Sequence, residues 1–329
     1  MRKLLIALAA LGAGVCLFLA AALALELLEP EPAPVLPEPA LAEAVAEVPA
    51  RAGLEARETA PEVLETARRL LEGRVRETGC GPYRLLTDVT DPTLIEACGR
   101  LASALDGALV ERYGLKPVGE PRGTVVLFGR RADFRAFAEA DGRVRQGYAG
   151  YSSGVRGYVA LCADGPERDE LLRTLAHELT HLALRRSLGE GLPPWLSEGL
   201  ADGIGDTATA GGFIPLEGWK GVEGPARRLQ GIYSTGREPD LEKLVGHDRS
   251  SFDRGTASVD YEASALLVRY LLAEPGRAAR FRAYLAALAS GDKSSVQGLR
   301  QALGVTWQEL DHSFGSWVAA GPDRPVTAS

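Results

Sequence analysis

The residues best suited to chemistry lie close together in the chain. His177-Glu178-Leu179-Thr180-His181 is an HExxH pattern, and Trp195-Leu196-Ser197-Glu198-Gly199-Leu200-Ala201-Asp202 follows soon after. An α-helix turns by about 100° per residue, so His177 and His181 leave one face, one turn apart. Two neutral imidazoles so placed can bind one Zn2+, and Glu178, beside them but not a ligand, can take a proton from the metal's water. A third protein ligand is needed, and Glu198 is the leading candidate. Glu198 and Asp202 are also four residues apart and share a helix face. If their helix docks on the first, Glu198 completes a His2Glu set that leaves the fourth position open for water. Asp202 can then accept a hydrogen bond from the free ring nitrogen of a ligand histidine, which fixes the tautomer; His177 is the favoured recipient.

Elements with recognisable periodicity must hold these residues. Leu171, Leu172, Leu175, Leu179 and Leu182 make a buried stripe on the motif helix, which Gly189 ends. Asp164 with Glu167 three residues on predicts its N-cap and capping box, with Pro166 in the first turn. Gly191 to Pro194 forms the turn, and Trp195 to Ile204 a shorter second helix with Trp195 as its packing anchor. Upstream, the pattern predicts a helix over 61–76, a first strand over 83–87, a helix over 93–112, a strand over 124–128 and a helix over 133–140. A hairpin of 148–151 and Val155–Leu161 follows, turned at Ser152-Ser153-Gly154. Together these predict an α+β fold, a small mixed sheet backed by helices. Residues 203–224 are Gly-rich and read as a long loop at the wall of a cleft. The remainder reads as helical, over 261–272, 277–288 and a last helix carrying Trp307, Leu310, Phe314 and Trp317. His247 and His312 read as surface or structural residues, Trp307 and Trp317 as core, and the pairs Arg185-Arg186 and Arg227-Arg228 as solvated faces.

The chain has 329 residues, 46% hydrophobic and 25% charged, ordinary for a globular protein. A net charge of −7 with no basic run argues against nucleic acid as a partner. Among four cysteines there is no CxxC; Cys80 and Cys98 either pair in an oxidising compartment or remain scattered thiols. Arg2 and Lys3 precede an apolar run from Leu4 to Leu25. Its length exceeds the ~7–15 residues of a signal-peptide core and matches the ~20 of a spanning helix. It therefore predicts a retained single-pass anchor that sends the rest outside the cytoplasm, into the cell envelope, while small residues around Ala24 leave a route to cleavage and secretion. The reading by segments is an anchor or signal peptide over 1–28 and a Pro/Glu/Ala-rich tether over 29–60. An α/β lobe over 61–190, a helical lobe over 191–320 and a tail over 321–329 complete it.

HELTH followed by WLSEGLAD resembles the gluzincin metallopeptidases, and among them the bacterial peptidase MA-like domains, where Trp and Ser-Glu-Gly recur before the acidic helix face. The likeness is close over Arg168 to Gly205 and loose over Gly81 to Val318. It implies a zincin-like fold with the HExxH helix at the cleft and a mainly helical C-terminal lobe. It implies one zinc ion on His177, His181 and Glu198, Glu178 as catalytic base, Asp202 supporting a histidine and peptide or protein as substrate. Tyr261 is the implied oxyanion donor, by analogy with the tyrosine some gluzincins place there; a tyrosine packed in the core is the alternative. In the same fold an edge strand in the place of Val155–Leu161 pairs with extended peptide. The stretch between His181 and Glu198 is shorter than in thermolysin-like enzymes and large aminopeptidases, and no exopeptidase signature precedes the motif. The expected function is thus a membrane-tethered zinc peptidase, with a non-catalytic zinc-binding envelope module or a hydrolase of another amide as the alternatives.

Overall fold

A computed structural model describes residues 59–117, 123–142, 149–215, 223–233, 240–252, 257–291 and 295–321. The expected anchor over 1–28, nearly all of the tether and the tail beyond Gly321 lie outside the described residues. Among the described residues no helix is long and apolar enough to cross a membrane.

The order begins with α1 (Pro61–Leu70), β1 (Arg76–Cys80), β2 (Tyr83–Thr87), α2 (Pro92–Tyr113), β3 (Thr124–Phe128), α3 (Arg131–Ala140), β4 (Gly150–Ser153) and β5 (Tyr158–Cys162). The motif helix α4 (Arg168–Leu188) and α5 (Pro194–Gly205) follow. Helices α6 (Glu223–Tyr233), α7 (Leu241–Gly246), α8 (Arg249–Phe252), α9 (Ala257–Leu272), α10 (Pro275–Ala289), α11 (Ser295–Leu303) and α12 (Trp307–Ala320) complete the fold. The class is α+β, helices with one small mixed sheet.

The sheet order is β1-β2-β3-β5-β4, with β2, β3 and β5 parallel and β1 and β4 antiparallel to their neighbours. Strands β3 and β5 are buried at every position because helices cover both faces. Leu85, Val125, Leu127, Val159 and Leu161 face one core with α2, α4 and the C-terminal helices. Leu86, Val126, Phe128, Tyr158 and Ala160 face a smaller core with α1 and α3.

Three expectations are corrected. The first helix ends at Leu70 rather than at Arg76, and residues 76–80, of which the sequence places only Arg76 in that helix, form β1, an edge strand paired Arg76↔Thr87 to Cys80↔Tyr83. The hairpin turn falls between Ser153 and Tyr158, and the strand order puts β5 inside the sheet with β4 at its edge. Strand 155–161 therefore cannot take a peptide along its side, since β3 and β4 occupy both. The N-cap of α4 is Glu167, without a side-chain cap bond; Asp164 instead accepts from Arg131 N at 3.3 Å.

Helix α5 is buried almost all round, between α4 and α9, and its glycines make that fit. A Cβ at Gly199 would lie 2.6 Å from Ser264 O and 2.8 Å from Val268 Cγ2 on α9. A Cβ at Gly205 would lie 3.2 Å from His177 Cβ on α4. At the other end of α5 Trp195 is fully buried. The buried Arg112 donates to Gly203 O at 2.6 Å and Tyr113 Oη to Leu200 O at 3.2 Å, so the end of α2 satisfies carbonyls in the last turns of α5.

Gly199→Ala is expected to destabilise the chain in urea denaturation. Overpacking against backbone costs roughly 1–3 kcal/mol, more than the ~1 kcal/mol by which alanine ordinarily favours a helix. Gly107→Ala, on the exposed side of α2 with nothing within 4 Å of the added carbon, should stabilise it by ~0.5–1 kcal/mol. Equal effects of the two substitutions would contradict the close packing of α5.

Candidate metal centre

His177 and His181 emerge from the half-buried side of α4, while Leu171, Leu172, Leu175, Leu179 and Leu182 hold the other side in the core. Glu198 enters from α5 and is buried. The three side chains converge. His177 Nε2 and His181 Nε2 are 3.0 Å apart. Glu198 Oε2 lies 3.5 Å from the first and 3.4 Å from the second. Donors bonded at about 2.0–2.1 Å to a tetrahedral ion stand roughly 3.3–3.4 Å apart, so this triangle has the size of one face of such a site. His177, His181 and Glu198 thus form a group that could hold a metal ion.

Each donor is braced from outside. His177 Nδ1 bonds Asp202 Oδ1 at 2.8 Å, as the spacing of Glu198 and Asp202 predicts. His181 Nδ1 lies 3.0 Å from Ser197 Oγ. Arg249 Nη1 donates to Glu198 Oε1 at 2.7 Å. With its Nδ1–H donated to Asp202, His177 turns its Nε2 toward the group.

Burial opposes a charge on His177, yet the hydrogen bonds to Asp202 and Glu198 and the negative charges of Asp202 and Glu178 prevail and hold its pKa well above that of a free imidazole. Burial likewise opposes the charge on Glu198, and the hydrogen bonds from His177 and His181 prevail in holding its carboxyl well below the usual range. The electrostatics therefore favour positive charge at His177 and negative charge at the carboxylate. Asp206, one turn beyond Asp202, has its pKa raised to about 6 by burial and by the charge of Asp202, against the opposing pull of Arg173 and His177.

Glu178 is half-buried beside His177. Tyr261 is not a member of the donor group; it lies on α9 with its ring edge-on to Phe252, centroids 4.8 Å apart. Sequence reasoning missed Ser197, Arg249 and Asp206 as parts of the site. Ser197 sits inside the recognised motif, but its role depends on a tertiary contact. Arg249 lies 51 residues beyond Glu198 with no local signal. Arg185 pairs with Glu190 on the surface, whereas Arg186, expected on a solvated face, is buried with its guanidinium 5.8 Å from the Tyr83 ring. His247 lies 3.4 Å from Asp260, in keeping with a structural role. Cys80, Cys98 and Cys162 are buried free thiols. A polar cleft of about 770 Å3 at the carboxyl ends of β2, β3 and β5 is lined by Arg74, Asp88, Asp91 and Arg130 and by none of the donor residues. The chemistry of the centre thus rests on its side chains and not on that cavity.

No known protein-family model matches the chain, and no curated protein matches it in sequence.

Asp206 has a folded-state pKa near 6, above the ~3.9 of an unfolded aspartate, so it stabilises the fold below pH ~4 and that contribution is lost as pH rises through 6. Asp206→Asn removes the titration. The stability of this variant relative to wild type is expected to rise between about pH 4 and pH 7 in denaturation series. A flat difference would show that Asp206 ionises normally.

Proposed function

We propose that the protein is a zinc metallopeptidase of gluzincin type, cleaving peptide bonds with the general base Glu178. The observation that carries this reading is the meeting of His177, His181 and Glu198 with the spacing of a metal face, on the two helices the motif would require. Two imidazoles and one carboxylate are the donor set of a zinc site that keeps a position for water or substrate. A bound zinc ion would supply Lewis acidity, activating water at neutral pH and polarising the scissile carbonyl.

The chain's own residues supply the rest. Glu178 follows His177 directly, so its carboxylate can take the proton of the attacking water and return it to the leaving amine. Asp202 and Ser197 fix the two ring orientations. The oxyanion-donor role of Tyr261 rests on the motif resemblance, and its ring packs against Phe252.

The peptide-binding role read from the sequence moves from β5 to β4. A Cβ at Gly150 would lie 3.0 Å from Thr174 Cγ2, and one at Gly154 would lie 2.8 Å from Arg185 Cδ. Strand β4 therefore runs beside the stretch of α4 that carries the motif. Among the described residues no strand pairs with its outer edge. An extended peptide added there would use main-chain hydrogen bonds, which is how a sheet edge binds many sequences. The zincin-like arrangement, the membrane tether and an extracytoplasmic location belong to the same proposal and rest on the motif resemblance and on the apolar run after Lys3.

The test is zinc content together with chelator-sensitive cleavage of a mixed peptide library. Glu178→Gln should retain zinc and lose at least ~10²-fold in kcat/KM, the usual weight of a general base. Undiminished cleavage by that variant would overturn the mechanism. A wild-type protein that binds zinc and cuts nothing would instead support a binding module.

A further inference from the structure

We propose that Arg249 is a positioning residue that holds Glu198 to the metal by one oxygen. The proposal rests on the reading of His177, His181 and Glu198 as a metal centre. The two oxygens of the buried Glu198 carboxylate are divided. Oε2 faces both imidazoles, 3.5 and 3.4 Å from their Nε2 atoms. Oε1 accepts from Arg249 Nη1 at 2.7 Å. A charge-assisted bond of this length is among the stronger polar contacts a protein makes. Swinging Oε1 onto the same ion would break it where water cannot easily replace it, because the Glu198 side chain is only 7% exposed. The guanidinium thus opposes two-oxygen binding by the carboxylate.

The delivery of Arg249 is itself ordered. Asp248 caps the single-turn helix α8: its Oδ1 accepts from Ser251 N at 2.7 Å and from Ser250 Oγ at 3.1 Å, and its carbonyl accepts from Phe252 N at 2.9 Å. Phe252 is fully buried and anchors the turn, with the Arg249 guanidinium 6.0 Å from its ring. A lysine could supply the charge there, but not a planar fork held against both an aromatic ring and a carboxylate. The donor group is then braced three times by three different chemistries: a carboxylate behind His177, a hydroxyl beside His181 and a cation behind Glu198. Asp202 adds electron density to its imidazole, whereas Arg249 withdraws it from its carboxylate.

Because the Arg249 side chain is half exposed, its replacement opens no hole in the core. The full chain is compared as wild type, Arg249→Gln and Arg249→Lys. Zinc affinity is measured by competition with a chromophoric chelator, the visible spectrum with Co2+ in place of zinc, and the melting temperature without metal. Arg249→Gln is expected to bind zinc roughly 10–100-fold more weakly. Its Co2+ spectrum should shift and change in intensity as the carboxylate changes its binding mode, while its metal-free melting temperature falls only modestly, since the introduced amide can still donate to Glu198 Oε1. Arg249→Lys should recover part of the affinity. If Arg249→Gln binds zinc as tightly as wild type with the same Co2+ spectrum, the proposal is overturned and the metal centre stands. If wild type binds neither metal, the centre and the proposal fall together.

Discussion

Two imidazole nitrogens and a carboxylate oxygen stand within about 3.5 Å of one another at a largely buried place, and the architecture follows from keeping them there. Burial opposes charge on His177 and on Glu198 alike, yet both are held in their charged forms. The arrangement is tenable because Asp202 and Glu198 support the charge on His177, and His177 and His181 support that on Glu198, while Ser197 and Arg249 hold the outer atoms of His181 and Glu198. Without those bonds, desolvation would favour neutral groups and a looser cluster.

Geometry of this kind needs two helices at fixed separation, and fixed separation needs packing that cannot relax. Helix α5 meets α4 where Gly205 lies against His177, and it meets α9 where Gly199 lies against Ser264. Larger residues at either place would push Glu198 out of register with the imidazoles. Trp195 and the bonds from Arg112 and Tyr113 stop α5 from sliding along its axis. The doubly buried strands β3 and β5 and the leucine stripe of α4 supply the rigid body on which this pair is mounted. Dense interiors transmit small misfits, so a glycine that touches no substrate can still set the spacing of the donors.

What was legible in the sequence was local. His177 and His181, then Glu198 and Asp202, are each related by one helical turn, and the predicted helices fall within a few residues of α4 and α5. That Asp202 backs a ligand histidine followed from that spacing once the helices were assumed to dock, and the fold makes His177 that histidine. What was not legible depends on partners distant in sequence. Residues 76–80 carry little apolar signal and form a strand because β2 is there to pair with. Asp164 and Glu167 have the spacing of a capping box, but Asp164 is taken by Arg131, from the start of α3. The edge of the sheet could not be read from the hairpin, since strand order is a tertiary property. Arg249 had no local pattern at all, and only the folded chain brings it to Glu198.

The electrostatics link the centre to cations before any reaction is considered. The groups that favour a proton on His177 are Asp202, Glu198 and Glu178. The same negative charges favour a divalent ion on its Nε2. Proton and metal compete for that lone pair, so metal affinity in such a site rises with pH as the imidazole gives up its proton. Two of the three carboxylates are already committed to bonds with the donor group, Glu198 within it and Asp202 behind His177. Glu178 alone follows the first histidine without being a member of the donor group. A purely structural cation site would gain little from an extra half-buried carboxylate that ligates nothing, whereas a hydrolytic site needs a base in that position. The surplus carboxylate is therefore the feature that the proposed hydrolytic reading uses and that a purely structural cation site would leave without a role.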